Sequence, residues 1–139
     1  MAEKKQAESS KMTREQLRDM DVQIEFLAGL VRRDPEYVDA LQQLGDLYTK
    51  RGRSEDGLRV DEILSRLQPN NPVVHYNLAC SLSLVGKVEE AAGSLRRSLD
   101  LGFRDFHWLA RDPDLHALRK HPLFRHIEAR IRELKTNAA

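Results

Sequence analysis

Apolar residues recur along this chain at steps of three and four, the spacing that puts them on one face of a helix. Leu17, Met20, Ile24, Leu27 and Val31 form the first such run. Thr13 and Gln16 stand before it as a capping-box pair, which satisfies free amides at a helix start. Asp34-Pro35 ends it, because the residue before proline is biased away from helical angles. The pattern predicts a second helix from about Tyr37 to Arg51, with Leu41, Leu44 and Tyr48 on its inner face and Gly52 past its end. A third helix is expected after Ser54 as its cap, with Val60, Ile63, Leu64 and Leu67 turned inward. Gln68-Pro69-Asn70-Asn71 breaks the chain. Tyr76 to Val85 and Val88 to Leu101 then read as two more helices, with Gly86 between them.

The order repeats. Gly52 and Gly86 are 34 residues apart, as are Pro35 and Pro69, and Leu44 and Leu78. A period of this length with two helices per unit is the signature of tetratricopeptide repeats (TPR). Residues 38–101 resemble two consecutive TPR units. The first unit carries Leu41, Leu44, Gly45 and Tyr48 on its first helix, and the second carries His75, Leu78, Ala79 and Leu82. Gly57 and Ala91 match the small residue that opens the second helix of a unit, and Pro69 the closing proline. Small residues at Gly45, Gly57, Ala79 and Ala91 would let paired helices approach closely. Glycine inside a helix costs about 1 kcal/mol against alanine, so Gly57 is expected to have a packing reason. Asp61 departs from the bulky residue the family prefers there, and is expected to be partly exposed or paired with an arginine. Ser98 and Phe103 depart too.

Beyond Leu101 the chain resembles a degenerate ending seen after TPR arrays in bacterial-type proteins. The matching residues are Gly102-Phe103-Arg104-Asp105, Trp108-Leu109, Asp112-Pro113-Asp114-Leu115, Leu118-Arg119 and Pro122-Leu123-Phe124. Tyr76-Asn77-Leu78-Ala79-Cys80 belongs to the same pattern. The ending reads as a cap. Asp112 and His121 precede prolines suited to a first helical position. Phe124, Ile127, Ile131 and Leu134 form one stripe, and Trp108 and Phe124 are the largest apolar groups of the cap. The resemblance implies an all-α fold: a right-handed α-α superhelix of TPR helix pairs with a short helical C-terminal cap. Residues 1–12 read as a disordered tail, 13–34 as a half unit, 38–71 and 72–102 as units, and 103–136 as a degenerate capping unit.

Composition narrows the function. A net charge of +1 gives no broad basic excess for nucleic acid. Arg125, Arg130, Arg132 and Lys135 alternate with Glu128 and Glu133, as on a solvated face. No stretch is apolar enough to span a membrane, and residues 1–11 have no signal-peptide core. The single cysteine, Cys80, fits a reducing compartment, so a cytoplasmic location is expected. Cys80 also lacks an activating base in sequence reach. His107, His116, His121 and His126 show no metal-ligand spacing. Asp112 and Asp114 read as a helix start rather than a carboxylate pair. Neither an enzyme, a cofactor nor a metal site is expected.

The resemblance implies that the first helix of each unit lines a concave groove for a partner protein or peptide. Mapped onto this chain, the groove residues are Asp39, Gln42, Asp46, Thr49 and Lys50, then Val73, Tyr76, Asn77, Cys80, Ser83 and Leu84. The second set is apolar for an open face, and Tyr76 is its expected anchor. Of the family's set that clamps a terminal carboxylate only Asn77 matches, and Asp46 would repel such a group. The expected function is a protein-interaction adaptor. The alternative is self-association or complex assembly through the same repeats.

Overall fold

The computed structural model describes residues 11–137, and among these the chain is all-helical, without strands. Of the tail expected over residues 1–12, only Lys11 and Met12 fall inside the described residues, and both are exposed coil.

Helix α1 (Arg14–Arg33) opens on the expected capping box. Thr13 Oγ1 accepts from the Gln16 amide at 3.1 Å, and Gln16 Oε1 accepts from the Thr13 amide at 2.9 Å. Helices α2 (Val38–Lys50), α3 (Ser54–Leu67), α4 (Pro72–Leu84) and α5 (Val88–Leu101) follow, each packed on the next. Links this short bring successive helices back alongside each other. Gly52 and Gly86 turn the chain after α2 and α4 with nearly equal φ of 83° and 85°, a region costly for side-chain-bearing residues. Two starts differ from expectation. Ser54 is the first helical residue, and Arg53 holds the cap position without a side-chain cap bond. Helix α4 begins at Pro72 rather than Tyr76, because Asn71 caps it by accepting from the amides of Val73 and Val74.

Helices α2 and α3 meet through glycine. A Cβ on Gly57 would lie 3.2 Å from Thr49 Oγ1, and one on Gly45 would lie 3.3 Å from both Val60 Cγ1 and Asp61 Oδ1. Gly45 and Gly57 therefore set the close approach, as the resemblance implied. Ile24, Leu27, Leu41, Leu44, Val60, Leu64 and Val74 fill this part of the core.

A second core joins α4 and α5 to the C-terminal segment. That segment comprises a short helix α6 (Phe106–Leu109), a 3-10 turn (Pro113–Leu115), α7 (His116–Lys120) and α8 (Phe124–Asn137). Leu95, Leu99, Leu109, Leu115, Leu118 and Ile127 are buried there. The expected stripe on α8 packs inward: Ile127 and Leu134 are buried, with Phe124 and Ile131 packed beside them. Trp108 does not. It is 45% exposed, and Leu109 takes the buried place beside it.

Candidate functional site

Helices α2 and α4, each packed on α3, face a common space. Between them and the C-terminal turn is a cavity of about 270 Å³. Helix α2 contributes Gly45, Asp46, Thr49 and Lys50, and α4 contributes Tyr76, Asn77, Cys80 and Ser81. Asp61 stands on its α3 side, with Trp108, Asp112 and Asp114 on the C-terminal side. A second cavity of about 280 Å³ shares Asp46, Asp61 and Asn77 with the first and extends toward Gln42, Val73 and Leu64. Together they form a trough along two helices.

The structure thus brings Gln42, Asp46, Thr49, Lys50, Val73, Tyr76, Asn77 and Cys80 together, while Asp39, Ser83 and Leu84 line neither cavity. Tyr76, Cys80 and Ser83 depart from expectation. Tyr76 is not an open anchor. It is 5% exposed, stacked on Phe103 with ring centroids 4.1 Å apart, and its hydroxyl donates to Asp112 Oδ2 at 2.6 Å. Cys80 is buried beside it, its thiol 3.6 Å from the same oxygen. Ser83 is buried and accepts from the Leu118 amide at 3.3 Å. Tyr76, Cys80 and Ser83 do share one helical face, as their spacing required. The C-terminal turn is laid along that face and covers it.

Asp112 organises the turn. One oxygen accepts from Tyr76 and Cys80, and the other accepts from the Asp114 amide at 3.0 Å, starting the 3-10 turn. Arg119 Nη1 donates to the Asp112 carbonyl at 2.6 Å and to that of Leu109 at 3.1 Å. The helix-start reading of Asp-Pro-Asp holds, but it missed the side-chain contacts of Asp112 with the distant helix α4.

Asp61 is neither partly exposed nor paired with an arginine. It is 7% exposed and accepts from the Ser81 hydroxyl through Oδ2. Burial pushes its carboxyl up to about 6. The Ser81 bond opposes the shift, and the nearby Asp46 carboxylate adds to it. Asp114 is also raised, by burial and then by Asp112. Burial and the neighbouring Asp112 carboxylate hold the Cys80 thiol far above its ordinary range, opposite to what a nucleophilic thiolate needs.

Ligand atoms of Cys80, Asp112 and Asp114 lie within 4.8 Å of one another. Sequence spacing drew attention only to histidines as ligands and missed this group. The donor set suits a metal poorly, because a coordinating thiol must be deprotonated and Asp112 already serves three donors. His107, His116 and His126 are exposed, and His121 Nδ1 accepts from the Leu123 amide. Arg130 is bound to Asp100 and Glu133, in keeping with a charge-balanced outer face on α8.

No protein-family model matches the chain. Over 76 residues, 52% of its length, the chain is 36% identical to a chloroplastic protein from Arabidopsis thaliana. The match spans 23% of that plant protein.

Proposed function

We propose that this chain is a protein-interaction adaptor, built as a right-handed stack of TPR helix pairs with a helical C-terminal cap, and that it holds a segment of its partner in the trough across α2 and α4. The trough carries this reading: two adjoining cavities lined by matching faces of successive first helices. The repeat reading is supported by Gly52 and Gly86, 34 residues apart and alike in φ, and by the sequential packing of α2 to α5. Asn77, like Asp46, is an exposed polar residue shared by both cavities, and its amide can both donate to and accept from a peptide backbone. The reading requires no cofactor, metal or catalytic group. No helix among the described residues is long and apolar enough to cross a membrane, and the unpaired Cys80 supports a reducing compartment such as the cytoplasm. The plant relative is chloroplastic by name.

The test is selection of peptides on the intact chain from a random library, followed by affinity measurements on variants. Asn77→Ala is expected to weaken the selected peptide about tenfold, the effect of a lost hydrogen bond or two. Arg59→Ala, on an exposed residue outside both cavities, is expected to bind as the wild type does. Equal affinity of both variants would remove the peptide from the trough. Tyr76→Ala, the obvious choice from sequence, is unsuitable because Tyr76 holds the core.

One observation favours the assembly reading. Val22 and Phe26 are 63% and 66% exposed and one turn apart on α1, an uncovered apolar face. Association of two copies there would appear in sedimentation as a concentration-dependent dimer, abolished by Val22→Ser with Phe26→Ser.

A further inference from the structure

We propose that two copies of this chain pair through α1, antiparallel about a two-fold axis level with Ile24. The proposal rests on the assembly reading of Val22 and Phe26 and gives that apolar face a partner and an orientation.

Glu15, Asp19, Val22, Phe26, Gly29 and Arg33 follow one another along α1 at steps of four and three, so they form one stripe. The stripe is turned away from Ile24 and Leu27, which are buried in the core shared with α2. Val22 and Phe26 are 63% and 66% exposed, the highest values among the large apolar side chains of the described residues. Glu15, Asp19 and Arg33 are exposed as well. Ion pairing within the chain does not use these three. Among the described residues, α1 forms its ion pair through Asp21, which binds Arg51 at 2.8 Å. Gly29 meets no other element: within 4 Å, a Cβ there would touch only Arg32 Nη2 of the same helix, at 3.6 Å. The stripe is therefore lowest at Gly29, where a second helix can come close.

The charges choose the partner and its direction. The stripe is acidic at its start, apolar in its middle and basic at its end. Glu15 and Arg33 each stand nine residues from Ile24. At 1.5 Å per residue that places them about 13.5 Å to either side of it along the helix axis. A second α1 turned end for end opposes Glu15 to Arg33, Asp19 to Gly29 and Val22 to Phe26, and the two-fold axis makes each contact twice. Parallel copies would instead oppose Glu15 to Glu15 and Arg33 to Arg33, which is repulsive. Arg18 and Glu25 flank the stripe with opposite charges and leave this balance unchanged. A face complementary to its own reverse points to a second copy of this chain. None of the stripe residues lines either cavity of the trough, so a pair keeps two troughs open. A partner carrying its segment twice would gain avidity from both.

Sedimentation of the full chain at rising concentration and low salt reads the pairing. A reversible equilibrium between monomer and dimer is expected at or below about 1 mM chain. Glu15→Arg puts like charges at both ends of the pair, and so does Arg33→Glu. Each is expected to weaken the dimer about tenfold. Both positions sit at helix ends where the native charge favours the helix, so the melting of each variant is compared with the wild type first. Mixed in equal amounts, the two variants are expected to pair as tightly as the wild type, since every contact between unlike copies again joins opposite charges. Lost folding would not be restored by mixing. A chain that stays monomeric at about 1 mM overturns the proposal and the assembly reading together. A dimer that neither charge variant weakens, or that mixing does not restore, overturns the antiparallel pairing. It leaves the assembly reading standing if Val22→Ser with Phe26→Ser abolishes the dimer. Growth past the dimer overturns the proposal too, and assigns α1 to the groove of Phe106, Phe124 and Ile131 on another copy.

Discussion

The α1–α3 side of the molecule and its α4–α8 side bury the same kinds of aliphatic side chain, but they treat polar groups differently. Around α1, α2 and α3 the core is Ile24, Leu27, Leu41, Leu44, Val60 and Leu64, and close approach is set by two glycines. Around α4 and α5 the core also contains Tyr76, Cys80, Ser83 and Asp112, joined by hydrogen bonds to the C-terminal turn. Ser98 adds a bond to the Pro72 carbonyl at 2.8 Å. Apart from Asp61, which reaches across to Ser81, the first region is held by shape. The second needs specific partners distant in sequence, because a buried donor or acceptor left alone costs more than its bond contributes.

The largest test of this contrast is to end the chain after residue 101. That removes Leu109, Leu115, Leu118 and Ile127, buried side chains contributing roughly 2 kcal/mol each, and uncovers Tyr76, Cys80 and Leu99. Loss of cooperative melting by circular dichroism, with aggregation seen by light scattering, is the expected result. A truncated monomer that melts like the full chain would show that the two regions do not depend on each other.

Asp112→Ala probes the polar network alone. It leaves the Tyr76 hydroxyl, the Cys80 thiol and the Asp114 amide without their acceptor, at an expected cost of about 3 kcal/mol or more. Chemical denaturation would read this as a lower midpoint. A loss below about 1 kcal/mol would reduce the network to surface decoration.

Asp61 links the two regions through Ser81, and its effect depends on pH. Its carboxyl is raised from 3.8 to about 6 on folding, so the folded state binds the proton more tightly. Stability from this group is therefore greatest in acid, falls as pH rises from about 4 to 6, and is level above that, by at most about 3 kcal/mol. Asp61→Asn should lack this component. The stability of the variant relative to wild type should rise over that window, and a constant difference would contradict the assignment. The smallest effect is expected at Trp108. Its exposure limits the cost of Trp108→Ala to about 1 kcal/mol, against roughly 2–5 kcal/mol for Leu109→Ala next to it.

The helices were legible because helical spacing records which face is buried, and glycine records where the chain must turn. Leu41 and Leu44 needed no more than that, and neither did Gly52 and Gly86. The site was legible only as far as single helices define it. The repeat resemblance named Gln42, Asp46, Val73 and Asn77, and these residues line the two cavities. Tyr76, Cys80 and Ser83 lie on the expected face too, but spacing along α4 carries no information about the turn that covers it. Asp61 appeared as a departure from a pattern, and its partner Ser81 sits on another helix, beyond the reach of local periodicity. Trp108 was misplaced because size and hydrophobicity mark a core candidate, and Leu109 competes for the same buried position.

The central claim is that a partner segment lies in the trough across α2 and α4. Amide and indole chemical-shift mapping of the full chain, titrated with a library-selected peptide, tests it most directly. The account predicts the largest shifts at Gln42, Asp46, Thr49, Asn77 and the Trp108 indole, with α1 and the outer face of α8 unchanged. Shifts concentrated at Val22 and Phe26, or along Arg125 and Arg132, with the trough silent, would contradict it.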